Sequence, residues 1–301
     1  MKTIDLNHKS KLLLPEDWSD LRPKQQKKAF RLLIDVFSGS LTPFDYQIKM
    51  LLMITGYRPK KRLLEALKKS CMRYFCSKSR YLSYLEDQRI YSDNIQHNLI
   101  RLAESITFAF ELDGKTIIPN YHFKDNPFPK ISSKSPHFVR NFTIDTNLTA
   151  RQFSDCRDCM AELNGDIEPA FRQHLMCKMA QILYSISYED ACKLAPEMLF
   201  GITFWFTSIV HYFQHHPAYG ILFQSSKKED EDKISLGLSE VILYLKKEGY
   251  SDSQDMNLME FFDAQIKSLK DNLSKAIAEG AKIEELAKRT GLSYSIINKL
   301  T

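Results

Sequence analysis

Three groupings of side chains carry chemistry by type and spacing. Cys156 and Cys159 form the run CRDC, and His174 with Cys177 makes a matching pair further along. C-x2-C followed by H-x2-C approaches zinc-ligand spacing, in which thiolates and an imidazole close a tetrahedron. Both pairs fall within helical patterns, however, and CRDC lacks the glycine or proline that helps a zinc knuckle turn. Accidental i, i+3 pairs are the plainer reading. In VHYFQHHP, His211 and His215 stand one helical turn apart, a spacing at which two imidazoles can share an ion. No Glu follows His211 as H-E-x-x-H chemistry needs, and Pro217 ends the helix. Histidines at a helix C-terminus also suit its dipole. The expectation is therefore no metal, no cofactor and no catalytic residues. G-x-G-x-x-G, G-x-x-x-x-G-K-[ST] and G-x-S-x-G are all absent. Carboxylate pairs such as Glu284-Glu285 are isolated, without the burial that separates an acid from a base. The chain reads as a non-enzyme.

The third grouping is the last twenty residues, KIEELAKRTGLSYSIINKLT, which match the helix-turn-helix pattern. With Ile283 as the first position, Ala287 is the small fifth residue where two helices cross, and Gly291 is the ninth, at the turn. Leu286, Leu292, Ile297 and Leu300 fill core positions. The second helix would present Ser293, Tyr294, Ser295, Asn298 and Lys299, residue types that contact bases and phosphates. No further helix is expected after Thr301 to brace the reader, and Lys299 is the single charge on it. A helical hairpin is also an ordinary ending for an all-α protein. Both readings stay open.

Positive charge is local. The formal net charge is +5, yet Arg58, Lys60, Lys61, Arg62, Lys68, Lys69, Arg73, Lys78 and Arg80 face only Glu65 in the same segment. That stretch carries +8, leaving the rest of the chain at about −3. These side chains can neutralise phosphates, with Tyr57, Tyr74 and Tyr81 stacking on bases. They can equally dock an acidic protein surface, or be a solvated face over a Leu63, Leu64, Leu67 core stripe.

The elements that must position these groups are helical. At 301 residues with 44% hydrophobic and 26% charged content, the chain can bury a large core, and only 10 Gly and 11 Pro argue against a loop-rich β architecture. The amino terminus has only a three-leucine run where a signal peptide needs an apolar core. The stretch Met198–Phe213 is short for a span and contains a histidine, which predicts a buried central helix. No membrane contact is expected, and the localisation expected is cytoplasmic, with Cys71, Cys76, Cys177 and Cys192 as free thiols in apolar helical patterns.

Periodicity predicts a small hairpin over Thr3–Leu6 and Lys11–Leu14. A helix follows with Pro23 in its first turn and Phe30, Leu33, Ile34 and Phe37 as its apolar stripe, ended by Gly39. Thr42-Pro43 opens a second helix to Thr55. The basic segment forms a third, and a fourth runs from Ser92 to about Ile106. FAFELDGKTII reads as a hairpin turning at Asp113-Gly114. Four prolines between Pro119 and Pro136 mark a linker. FTIDTN offers one strand beyond it. Then come helices near Ala150–Leu163, Ile167–Ser185, Glu189–Leu194, Met198–His215, Leu236–Lys247 and Leu258–Ala278, with a charged loop at Ser225–Lys233 and the terminal pair at 282–301. The expected organisation is an amino-terminal part at 1–120, a Pro-rich linker at 121–136 and a helical domain at 137–301. The fold class is mainly α, a multi-helix protein with small β-hairpins in its amino-terminal part and a helix-turn-helix-like hairpin at its carboxy end.

Two stretches together resemble uncharacterised helical proteins of bacteriophage and prophage tail gene modules. LLLPEDWSDLRPKQQKKAFRLLIDVF resembles their opening: a small strand, then Leu14, Pro15, Glu16, Trp18 and Leu21, then a leucine-rich helix. FWFTSIVHYFQHHPAYGILF, followed by VILYLKKEGYSDSQDMNLMEFFDAQIK, resembles their later part. Together they cover about a quarter of the chain. The resemblance implies a non-enzymatic tail-assembly accessory role, with a tail tube or tape-measure type protein as partner. Helices such as MNLMEFFDAQIKSLKDNL would serve such contacts, or pack in a core. The alternative is a DNA-binding protein using the terminal pair and the 58–80 basic helix.

Overall fold

The structure, a computed structural model, describes residues 1–7, 10–56, 100–113, 116–122, 125–129, 131, 146–223, 247, 249, 255–290 and 292–301. The basic segment, with Arg58, Lys60, Lys61, Arg62, Lys68, Lys69, Arg73, Lys78 and Arg80, lies outside them, as do most of FTIDTN and the 225–233 loop. So do the start of the predicted fourth helix, whose residues 100–104 are helical, and all but residue 247 of the helix expected at Leu236–Lys247.

The protein is mainly α, with two small antiparallel hairpins. β1 (Lys2–Asn7) pairs with β2 (Ser10–Leu14), from Lys2 opposite Leu14 to Asn7 opposite Ser10. α1 (Pro23–Phe37) and α2 (Pro43–Thr55) follow. β3 (Phe110–Asp113) pairs with β4 (Thr116–Pro119). α3 (Ala150–Leu163), α4 (Pro169–Tyr184), α5 (Tyr188–Cys192), α6 (Pro196–Gln214) and α7 (Leu258–Ala278) precede α8 (Ile283–Thr290) and α9 (Tyr294–Leu300). The chain divides into two compact units: Met1–Phe123 with Pro196–Gly201, and Lys124–Ala195 with Ile202–Thr301.

In the first unit, Trp18 stacks on Phe30 at 4.7 Å and meets the edge of Phe108 at 5.1 Å. Gln26 is buried beside them because its amide donates to the Trp18 carbonyl at 3.0 Å, which pairs an otherwise costly group. The core face of α1 is Gln26, Ala29, Phe30, Leu33 and Val36. The predicted stripe is thus rotated: Phe37 is 43% exposed, because its neighbour Val36 sits one position closer to the helical repeat through Ala29 and Leu33. Thr42 caps α2 as its residue type demands, its hydroxyl oxygen accepting the Asp45 N–H at 3.1 Å. The second hairpin closes one residue later than predicted. Its last pair is Asp113 with Thr116, so Asp113 belongs to the first strand rather than to the turn. β4 alternates as expected, but β3 is exposed from Glu111 onward; Leu112 and Ile118 are 52% and 45% exposed.

In the second unit, Phe153 of α3 is ringed by aromatics: Phe206 at 5.5 Å, Phe262 at 5.6 Å, Phe213 at 6.1 Å and Phe223 at 6.2 Å. Such offset and edge-on pairs stabilise a core beyond their area. α6 is the buried helix that its sequence predicts, with Ile202, Trp205, Phe206, Ile209 and Phe213 fully enclosed. Among the described residues no helix is long and apolar enough to cross a membrane. Leu258, Phe261 and Phe262 at the start of α7 are likewise buried, so core packing uses that aromatic face. The starts of α3 and α7 are tied together. Thr149 bridges to Asn257, the Asn257 amide donates to the Thr146 carbonyl at 2.6 Å, and its carboxamide oxygen caps Met259 N–H at 2.9 Å.

Gly220 is required by contact rather than by its backbone angles. Its N–H donates to the His216 carbonyl at 2.8 Å, turning the chain back under the end of α6 so that Phe223 lies parallel to Phe213. A Cβ there would sit 2.8 Å from the Gln214 carbonyl oxygen, a backbone atom with little freedom to move. Gly220→Ala is therefore expected to cost about 1–3 kcal/mol in denaturant unfolding. An unchanged midpoint would mean that this turn does not hold the aromatic ring.

Candidate nucleic-acid interface at the carboxy terminus

α7 is 21 residues long, roughly 30 Å at helical rise, and its two halves pack into different clusters. Beyond Phe262 an apolar stripe continues at i, i+4 and i+3 spacing through Leu269, Leu273, Ala276 and Ile277. With Leu286 and Ala287 of α8, Leu292 of the turn, and Ile296, Ile297 and Leu300 of α9, it closes a small apolar core. Leu273 and Ile297 are 3% and 0% exposed at its centre. The brace that was not expected after Thr301 is thus supplied from before the pair, by α7. Sequence reasoning missed it because the first half of the same helix carries the larger aromatic signal.

Local chemistry fixes each turn. α7 ends at Glu279 with Gly280 at φ 91°, where Gly280 N–H donates to the Ile277 carbonyl and Ala281 N–H to the Ala276 carbonyl, both at 2.9 Å. That double bond pattern is a Schellman ending, and only glycine adopts its left-handed residue without a Cβ penalty. α8 begins as Glu285 and Leu286 donate to the Lys282 carbonyl. Glu284 and Glu285 lie in its first turn, where negative charge suits the helix dipole. At its end the Thr290 hydroxyl donates to the Leu286 carbonyl at 2.7 Å and accepts the Leu292 N–H at 3.3 Å. This pins the turn and buries Leu292. α9 starts at Ser293, whose carbonyl accepts from Ile296 and Ile297.

With Ile296, Ile297 and Leu300 turned inward, Ser293, Tyr294, Ser295 and Asn298 are all exposed, Tyr294 by 53%. Tyr294 and Asn298 are one turn apart and Ser295 adjoins them, so the polar set forms a continuous outer stripe. Lys299 lies in the same helix, and α9 contains no acid. Lys282 and Lys288 are exposed on the preceding segment.

The metal-like pairs take other partners. Cys156 and Cys159 are buried in α3; the Cys156 thiol faces the Met179 carbonyl at 4.0 Å, and burial pushes both thiols up. Cys177 is also buried, but Cys192, grouped with it by apolar pattern, is exposed because α5 is a single short turn at the surface. His215 Nδ1 donates to the His211 carbonyl at 2.8 Å, an end-of-helix bond that leaves the two rings 4.3 Å apart. Among the described residues no group of three or more His, Cys, Asp or Glu side chains could hold a metal ion.

Leu273→Ala should cost about 2–5 kcal/mol by removing the centre of the terminal core. Hydrogen exchange is expected to show α8 and α9 losing protection while α3 and α4 keep theirs. Equal loss in all four helices would mean that the terminal core is not a separate packing unit. The chain matches no family model, no curated protein and no solved structure.

Proposed function

We propose that this protein binds double-stranded DNA through α8 and α9, with α7 as the supporting helix. The observation that supports this reading best is the outward stripe of Ser293, Tyr294, Ser295 and Asn298 over a closed apolar core. A reading helix needs both halves of that arrangement: side chains free to approach base edges, and a fixed support that holds them at a defined angle. In the proposed complex α9 enters the major groove. The Asn298 amide pairs with the donor and acceptor edge of an adenine, and Tyr294 and Ser295 contact neighbouring edges. Ser293, Lys288 and Lys299 reach phosphates, and the Arg58–Arg80 segment adds sequence-independent attraction. No catalytic step belongs to this role.

The test is binding to mixed duplex DNA across a salt series, comparing the full chain with Asn298→Ala and with a chain ending at Ala281. The full chain should bind with steep salt dependence, and the shortened chain should lose most of that binding. Asn298→Ala, made at an exposed position, should lose about 1–3 kcal/mol of sequence discrimination while keeping its fold. Absence of binding by the full chain even at low salt would overturn the proposal.

The resemblance to tail-module proteins supports a second proposal, an assembly accessory contacting a tail tube or tape-measure type protein. Its supporting observation is that the second hairpin leaves two large apolar side chains exposed, Leu112 on one face and Ile118 on the other. Replacing both by serine should abolish co-purification with a tape-measure protein without altering DNA binding. Retained co-purification would remove the hairpin from that contact.

A further inference from the structure

Away from the terminal helices, α3 and α4 run antiparallel: the Gln152 amide donates to the Ile182 carbonyl at 2.9 Å, and the Cys156 thiol faces the Met179 carbonyl at 4.0 Å. Along their outer faces they leave a groove of about 610 Å³, within the roughly 300–1,000 Å³ typical of small-molecule sites. One wall carries the carboxylates Asp155 and Asp158, neighbours at i, i+3 on α3. The facing wall carries Lys178 and Gln181 of α4 at the same spacing, and Ile182 and Ile186 make its apolar end. Two features set this groove apart from an ordinary helix seam. The opposite charges across it do not close on one another. Asp155, Asp158 and Lys178 are exposed and form no ion pair among the described residues, and the half-buried Gln181 amide has no hydrogen-bond partner among them. The end of the groove is also strained. Ser185, at φ 52°, is the one non-glycine among the described residues with a positive φ, and such outliers collect at ligand sites. Gln152 holds it, donating to the Ser185 Oγ at 3.4 Å while its own oxygen accepts the Thr149 N–H at 3.0 Å. Both ends of Gln152 are therefore taken up by the fold, and the groups offered to a ligand are the two carboxylates, Lys178 and Gln181.

We propose that this groove binds an aliphatic α-amino acid. The charges on its walls select against other small ligands. A phosphate or a simple carboxylate meets two carboxylates of like charge, and a polyamine meets Lys178. A sugar finds no aromatic face in the lining. An α-amino acid carries its ammonium and carboxylate on one carbon, so a single molecule straddles both walls. The ammonium donates to Asp155 and Asp158, and the carboxylate accepts from Lys178 Nζ and the Gln181 amide. The aliphatic side chain then lies along the groove against Ile182 and Ile186. Charge-assisted hydrogen bonds on both sides fix its orientation, and loss of either charged end leaves one wall unpaired. The groove shares no residue with the terminal helices, so this site stands apart from the DNA-binding reading.

The experiment is saturation-transfer NMR on the full chain with L-leucine at millimolar concentration. The signal should be saturable and strongest on the leucine methyl groups, which meet the two isoleucines. N-acetyl-L-leucine lacks the ammonium and L-leucinamide lacks the carboxylate; each should bind about tenfold more weakly. Lys178→Gln, at an exposed position and with an unchanged melting curve, should bring leucine down to the affinity of leucinamide while leaving leucinamide itself unaffected. Asp155→Asn combined with Asp158→Asn should bring leucine down to the affinity of its N-acetyl form. The proposal is overturned by the absence of a saturable leucine signal, by equal binding of the three ligands, or by leucine affinity that neither wall's variants change.

Discussion

The second unit depends on one helix having to satisfy two cores. Near its start α7 inserts Phe261 and Phe262 into the aromatic ring around Phe153, Phe213 and Phe223. Near its end it offers Leu273 and its neighbours to the terminal pair. Each core is too small to define the other's position, but an unbroken helix fixes the angle between their faces through its own periodicity. Two helices of eight and seven residues could not hold a stable shape in water without that support.

The fold was legible wherever a residue type admits few local conformations. Thr42 and Pro23 mark helix starts because a cap and a fixed proline φ leave little choice, and the bounds of α3 and α7 follow from periodicity. Phe37 misled because its large apolar side chain suggests burial, whereas the helix repeat is set by the smaller Ala29 and Val36. The end of the second hairpin misled because Asp113 suits a turn as well as a strand end, and only cross-strand register separates the two.

The candidate site was half legible. Its own core positions, Leu286, Leu292 and Ile297, can be read from helix-turn-helix spacing, since that spacing encodes how two short helices cross. The brace could not be read that way. Nothing in Leu269, Leu273 and Ile277 distinguishes a stripe meeting the terminal pair from one continuing the aromatic core.

The tie between Thr146 and Asn257 joins residues 111 positions apart, and the same Asn257 side chain caps the very helix on which both cores rest. Contacts at that separation require a large loop to close first, while every contact within the terminal core except that of Ile221 lies within a few dozen residues. The order of assembly follows from this difference in chain separation. The last three helices can meet one another through local search while the start of α7 still lacks its tie to Thr146. The long-range tie then sets late, and it joins a locally formed trio to the aromatic core through α7 while leaving it a packing unit of its own.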